Sequence, residues 1–362
     1  MQSIPVKLSH ASYQILVGAG VFENIESHLA DAGLGGPFLV ISQPRIFKAL
    51  GQPLKKKFPV VLIPDGERAK TLITVSRLLD RMVDLKLTRQ STVIAIGGGV
   101  VGDVSGFVAS IYMRGIPVVQ VPTTLLAQVD SSIGGKTGVN HRVAKNLIGT
   151  FHQPCLVLSD PNVLKKLPER EYVSGLYEAL KYGVIRDASL FGDFERDAPS
   201  FLARDPQAIE RLVARCASIK AEVVMSDEKE SDLRRILNFG HTIGHGLEAA
   251  ARYQRIKHGE AVGYGMIAAA RIGTALHKLE DQERERIETA IGSLGRLPPL
   301  SGVNSKSVMN ALHHDKKVRN GAIHFVLPRA IGRVEITPDV PYEVVRDVVK
   351  GILDERTRMQ TR

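Results

Sequence analysis

The sequence predicts an α/β protein in two parts: a Rossmann-like parallel-sheet domain over residues 1–168, then a mostly α-helical domain over 169–362. Three observations carry that reading. The 362 residues exceed the about 250–300 at which a single hydrophobic core stops growing, so two domains are expected. The first half alternates β-branched runs with amphipathic segments, the mark of a parallel sheet covered by helices. From Glu169 onward long segments rich in Ala, Leu, Glu, Lys and Arg take over, and Pro161 and Pro168 interrupt Asp160–Arg170 between the two regimes.

Taken in order, Pro37–Ser42, Pro59–Pro64, Ser91–Ile96 and Ile116–Pro122 read as buried strands. Thr71–Asp84 reads as a helix whose apolar stripe holds Leu72, Val75, Leu78, Leu79 and Met82. Another helix opens near Val100. In the second part, Glu171–Ile185, Gln207–Met225, Leu233–Ala251, Glu260–Leu276 and Gln282–Gly292 read as helices, Ile323–Leu327 and Gly332–Ile336 as a strand pair, and Tyr342–Leu353 as a last helix.

Composition narrows the function classes. With 44% hydrophobic and 24% charged residues, wholesale disorder is excluded. No apolar run approaches the roughly 18 residues of a membrane span, and MQSIPVKLSHASYQ lacks the apolar stretch of a signal peptide. Cys155 and Cys216 are isolated, as expected of core thiols in a reducing cytoplasm. The 48 basic and 38 acidic residues give a charge of +10, which raises nucleic acid as a partner. Against it, the basic residues are spread out, Lys55-Lys56-Lys57 is their densest run, and there is no Trp or zinc-finger pattern. An anionic small-molecule substrate explains the same sign with fewer assumptions.

Several motifs carry chemistry. In TVIAIGGGVVGDVSGF a strand runs through Gly97-Gly98-Gly99 into a helix, an arrangement that lets backbone N–H groups approach a pyrophosphate. Gly97, Gly99 and Gly102 meet the dinucleotide spacing, yet the acidic residue expected about 20 positions on is absent from VVQVPTT. PDGERAK follows the preceding strand with an Asp65-Gly66 turn. After the next strand come Thr123-Thr124, then Asp130, Lys136, Lys145 and Asn146 in a Gly- and Ser-rich stretch suited to an anion. Further on, His241 and His245 are four apart and share a helix face. Thr242-Ile243 between them excludes the HExxH of a zinc protease. His258 heads the next helix, and Glu178 lies one turn before Lys181. Two such histidines and a carboxylate compose a His₂Glu set with open positions, which suits Zn²⁺. On one helix over Leu233–Ala251, Arg234, Asn238, His241 and His245 fall along one face.

These motifs in this order, with YMRG, KNLIG, FHQP, GLYEALKYG, DEKE, HGEAV and HHDKK, resemble 3-dehydroquinate synthase over nearly the whole chain. The resemblance implies an N-terminal NAD domain, a C-terminal metal domain and an active site in the cleft between them. It places metal ligands on Glu178, His241 and His258, and gives His245 a substrate or proton-transfer role. NAD contacts fall on Asp65, Gly66, Glu67, Arg68, Ala69, Lys70, Gly99, Val100, Val101, Gly102, Asp103, Thr123, Thr124, Lys136 and Lys145. Substrate contacts fall on Arg114, Asp130, Lys136, Asn146, Lys181, Arg234, Asn238, His245 and Lys316, with Lys317 as the alternative to the last. The chain departs from the family pattern at Lys166, where threonine is usual, at Ser231-Asp232-Leu233, and at Tyr177.

The implied reaction turns 3-deoxy-D-arabino-heptulosonate 7-phosphate into 3-dehydroquinate and phosphate, within the shikimate pathway of aromatic amino-acid biosynthesis. Its steps are transient oxidation by NAD, phosphate elimination, reduction, ring opening and aldol closure, with Zn²⁺ or Co²⁺. A cytoplasmic homodimer is expected. The competing readings are a cyclase of the 2-deoxy-scyllo-inosose or 2-epi-5-epi-valiolone synthase type and a metal-dependent polyol dehydrogenase.

Overall fold

A computed structural model describes residues 1–251, 255–313, 318–319 and 322–358. The chain divides into two compact units, Met1–Tyr172 with Pro206–Lys229, and Val173–Asp205 with Glu230–Arg362.

The first unit holds nine strands: β1 (Gln2–Lys7), β2 (Ser12–Val17), β3 (Phe38–Ser42), β4 (Val60–Leu62), β5 (Thr92–Gly97), β6 (Val118–Pro122), β7 (Lys136–Val139), β8 (Ile148–Phe151) and β9 (Leu156–Ser159). Seven form one sheet in the order β1-β2-β9-β6-β5-β3-β4, with β7 and β8 as a separate hairpin. All neighbours in the sheet are parallel except β1 and β2. The four strands expected from β-branched runs are β3 to β6, and every residue of β5 and β6 is buried, as a sheet covered on both faces requires. The N-terminal antiparallel pair escapes a search for continuous apolar runs because β2 alternates buried with exposed positions and only Val6 of β1 is buried; β7 to β9 are short, at 4 residues each. Chain order reverses between β3 and β5, so the carboxyl ends of β5 and β6 lie beside the switch point where open α/β sheets place ligands.

Its helices are α1 (Ile25–Asp31), the single turn α2 (Pro44–Ile46), α3 (Leu72–Asp84) and α4 (Gly99–Ile111). Thr71 caps α3 by accepting from Thr74 N at 3.2 Å. Val75, Leu78 and Met82 are buried as the stripe predicts, but Leu72 in the first turn is 51% exposed.

The chain continues through α5 (Glu169–Ile185) and α6 (Ala188–Leu202), then returns to the first unit as α7 (Pro206–Ser226). A single boundary at 168 therefore does not describe the compact units. The physical reason is the apolar face of α7, whose Ile209, Leu212, Val213, Cys216 and Val224 are buried and which packs on β1 and β2. The sequence reading left α6 out; Leu190, Phe191, Phe194 and Phe201 bury its inner face although Pro199 lies inside it.

The rest of the second unit comprises α8 (His241–Ala250), α9 (His258–Ala275), α10 (Asp281–Ser293), α11 (Ser305–His313), β10 (Val318–Arg319), β11 (Ala322–Ile323), β12 (Phe325–Ala330), β13 (Arg333–Thr337) and α12 (Tyr342–Arg358). α9 is its central element, packed on α8, α10, α12 and β12. The expected strand pair is present as β12–β13, about two residues later than predicted at its first strand.

Candidate functional site

In the second unit three elements bring one donor each to a common point. Glu178 lies on α5, His241 opens α8 and His258 opens α9. One ligand atom from each lies within 4.8 Å of the others. The convergence comes from backbones that touch. A Cβ on Gly265 would lie 1.7 Å from the Gly240 carbonyl oxygen, and one on Gly259 would lie 1.9 Å from the Ser174 carbonyl oxygen. Glycine is the residue that allows such approach. The Glu260 carboxylate accepts from Lys257 N at 2.6 Å and so caps α9, which fixes His258 in its first turn.

Gly240 also corrects an expectation. The helix predicted over Leu233–Ala251 is two elements: a 3₁₀ turn over Leu233–Asn238, then α8. Gly240 between them takes φ +76°, a left-handed conformation that no helix continues through. Arg234 and Asn238 are thus not on the helix face that carries His241 and His245. Arg234 is nonetheless buried at 1% exposure, and Asn238 Nδ2 donates to Glu230 Oε1 at 2.7 Å.

The donors are oriented by their neighbours. His241 Nδ1 is 3.0 Å from the Phe239 carbonyl oxygen. A carbonyl only accepts, so Nδ1 carries the proton and Nε2 presents its lone pair, 3.9 Å from Glu178 Oε1. His258 Nδ1 is 3.1 Å from Glu248 Oε2. His245 lies beside both, its ring centroid 5.4 Å from that of His241 and 5.8 Å from that of His258, and it forms a second possible ligand group with Glu248 and His258. Glu178 is 1% exposed. The Lys181 ammonium pairs with its Oε1 and donates to the Leu237 carbonyl oxygen at 2.8 Å, yet neither Glu178 oxygen has a hydrogen bond of proper geometry. A buried carboxylate left so is costly, and a cation between it and two imidazoles would satisfy it. Two nitrogens and an oxygen with open positions suit a borderline ion such as Zn²⁺ or Co²⁺.

The first unit gathers the dinucleotide candidates at the carboxyl ends of β4, β5 and β6. Asp65–Lys70 follows β4, with Gly66 at φ +77°; Gly98 and Gly99 join β5 to α4. Thr123 N donates to the Gly97 carbonyl oxygen at 2.9 Å. Thr124 Oγ1 accepts from Ala127 N at 3.1 Å, so it caps the turn that carries Asp130. The other candidates there, Arg68, Ala69, Val100, Val101 and Gly102, lie in the Glu67–Ala69 turn and the first turns of α4. A Cβ on Gly102 would meet Gln120 Oε1 at 2.7 Å. Lys70 is buried and pairs with Asp103 Oδ2 at 2.5 Å and with Asn146 Oδ1. Burial pushes the Asp103 carboxyl above its ordinary range, with the Lys70 charge pulling the other way. Asn140 completes the set, donating to Glu67 Oε1 at 2.7 Å and accepting from Asn146 N at 2.9 Å. Lys136 opens β7 and is exposed, and Lys145 is half-buried. Arg114 is exposed in a turn where Met113, Arg114 and Gly115 all have positive φ. Lys316 and Lys317 lie outside the described residues.

Sequence reasoning missed three side chains. Lys220 on α7 is buried, and its ammonium is 2.8 Å from Asp130 Oδ1 and donates to the Asp130 carbonyl oxygen at 2.6 Å. Its signal was a lysine inside the apolar run CASIKAEVV. Glu230, at φ +58°, holds Asn238, and Glu248 faces His258; both sat inside quoted motifs without a role. Lys166, the departure from the family pattern, donates to the Ala49 carbonyl oxygen at 3.0 Å.

Residues 60–174 match the family model for the 3-dehydroquinate synthase N-terminal region, and residues 175–318 match that for the C-terminal region. The chain belongs to the 3-dehydroquinate synthase family. It is 46% identical to the 3-dehydroquinate synthase of Koribacter versatilis (strain Ellin345), over 97% of this chain and 98% of that one. Among solved structures, a 2-deoxy-scyllo-inosose synthase complexed with carbaglucose-6-phosphate, NAD⁺ and Co²⁺ has a TM-score of 0.87 at 28% identity, covering 97% of this chain and all of that one (100%). The 2-epi-5-epi-valiolone synthase of Streptomyces hygroscopicus subsp. jinggangensis 5008, with NAD⁺ and Zn²⁺ bound, has a TM-score of 0.86 at 32% identity over 97% and 99%.

Proposed function

We propose that the chain is a 3-dehydroquinate synthase, a carbon–oxygen lyase that converts 3-deoxy-D-arabino-heptulosonate 7-phosphate to 3-dehydroquinate and phosphate. The observation that carries the reading is the convergence of Glu178, His241 and His258 around a buried carboxylate, in a chain 46% identical to a named synthase. The NAD⁺ with Co²⁺ or Zn²⁺ of the two cyclase structures supports the same cofactors here. When bound, NAD⁺ takes up and returns a hydride while the metal polarises a substrate hydroxyl.

The chain's own residues supply the rest. Glu178, His241 Nε2 and His258 would hold the metal. Asp65–Lys70, Gly99–Asp103, Thr123, Thr124, Lys136 and Lys145 would hold NAD, with helix α4 presenting its free N–H groups to the pyrophosphate. The buried guanidinium of Arg234 has the planar fork that binds a carboxylate bidentately. Asn238 is oriented by Glu230, and Lys181 by the Leu237 carbonyl, for hydrogen bonds to hydroxyls. Arg114, Asp130, Asn146 and Lys316 are assigned to the substrate as well. Lys220, locked to Asp130, adds a buried positive charge suited to an anionic substrate. His245, whose ring lies beside those of His241 and His258, would take the proton-transfer role. Aldol closure gains from proximity, since both reacting groups belong to one molecule.

A cytoplasmic homodimer goes with this reading; no described helix is long and apolar enough to cross a membrane. Sedimentation equilibrium tests the assembly. Phosphate release from the heptulosonate phosphate tests the function. It is expected only with NAD⁺ present and to stop when a chelator removes the metal. Consumption of a hexose phosphate in its place would move the chain to the inosose-synthase type.

A further inference from the structure

We propose that Glu248 is a positioning residue that holds His258 as a metal ligand, an inference that rests on the metal site of the preceding section. The three donors are not equally constrained. The side chains of Glu178 and His241 are 1% and 11% exposed, whereas that of His258 is 36% exposed. Burial therefore restrains the His258 ring least of the three. Its backbone is fixed by the capped first turn of α9, but a capped backbone does not choose a ring orientation.

Glu248 supplies a specific constraint on that ring. It is two turns into α8, its side chain is 6% exposed, and its Oε2 is 3.1 Å from His258 Nδ1. As a carboxylate it can only accept, so it holds the proton on Nδ1 and leaves Nε2 with the lone pair a metal needs. A carboxylate behind a ligating imidazole also raises the basicity of the ring and locks its rotation. The arrangement parallels His241, whose Nδ1 is held by the Phe239 carbonyl oxygen. The two histidines thus present the same nitrogen, one through a backbone acceptor and one through a charged side chain. Burying the Glu248 carboxylate has a desolvation cost that the hydrogen bond from His258 offsets.

The test uses the full-length protein freed of metal, titrated with Co²⁺ in competition with a chelator and followed by visible absorption. Glu248→Ala should weaken Co²⁺ binding by about 10–100-fold and shift the absorption bands, because the His258 ring is no longer aimed. Glu248→Gln is nearly isosteric, and its side-chain carbonyl still accepts from Nδ1–H, so it should restore most of the affinity and the native band shape. Wild-type affinity and spectrum in Glu248→Ala would overturn the proposal. Loss of Co²⁺ from both Glu248 variants as complete as from His241→Ala would make Glu248 a ligand itself, and would also overturn it. His241→Ala separately checks the underlying reading. If that variant binds Co²⁺ as wild type does, the metal site is misplaced; if it loses Co²⁺ while Glu248→Ala keeps it, only the positioning role fails.

Discussion

The two halves of the chemistry are built by opposite means. In the second unit, Glu178, His241 and His258 converge because helix backbones touch at glycines, and the central carboxylate is buried without a proper hydrogen bond. In the first unit, the charged groups near the strand ends satisfy one another: Lys70 with Asp103 and Asn146, Asn140 with Glu67. One region sets three donors around a single point; the other is a hydrogen-bonded net spread along the strand ends. Close packing specifies a point, whereas a polar net specifies a surface.

The largest expected effect follows from the converging donors. His241→Ala should lose the metal and, with it, about 10³-fold or more in kcat, the scale of several kcal/mol of charge stabilisation; metal analysis and steady-state rates check both together. Next is Arg234→Lys. A point charge replaces a planar fork, so kcat/KM should fall by the equivalent of about 2–5 kcal/mol, with metal content unchanged. An equal penalty on an analogue without the carboxylate would remove Arg234 from carboxylate recognition.

Two glycines sharpen the contrast through stability. Gly265→Ala drives a Cβ into the Gly240 carbonyl, a backbone atom that cannot yield. It should cost about 3 kcal/mol in denaturant unfolding, the upper end of ordinary overpacking. Gly102→Ala meets the end of the Gln120 side chain, which can rotate, so about 1 kcal/mol is expected. If the two costs are equal, the rigid-versus-yielding distinction fails.

The smallest effect lies away from both sites. Arg286 grips Glu195 through two hydrogen bonds of 2.9 and 2.8 Å, and that bond, with the Arg286 charge, holds the Glu195 carboxyl below its ordinary range. A carboxyl lowered in the folded state contributes above the unfolded value of about 4.3 and loses that contribution as pH falls through the folded value. The pair is partly exposed, so Glu195→Gln should cost only about 0.5 kcal/mol near neutrality, shrinking to nothing in acid. Unfolding curves across pH read it directly.

What could be read from sequence follows the same physics. β3 to β6 announced themselves because strands buried on both faces are continuous β-branched runs. Residue type and spacing singled out Glu178, His241, His245 and His258 without choosing among the histidines, and the family resemblance named the three that converge here; the Gly97-Gly98-Gly99 turn was legible from its glycines. The break at Gly240 was hidden, since a glycine in GHTIGHG looks like any tolerated helix glycine until a neighbouring backbone is seen against it. The return of α7 was hidden as well, for an amphipathic helix does not say which core it serves. Lys220 and Glu248 needed the fold to supply Asp130 and His258 as partners.

The central claim is that NAD works as an internal hydride carrier in a cyclase, and hydride bookkeeping tests it most directly. With the heptulosonate phosphate in excess over NAD⁺, absorbance at 340 nm should stay flat while phosphate and 3-dehydroquinate accumulate through many turnovers. NADH rising in step with product would contradict the account and make the chain a metal-dependent dehydrogenase.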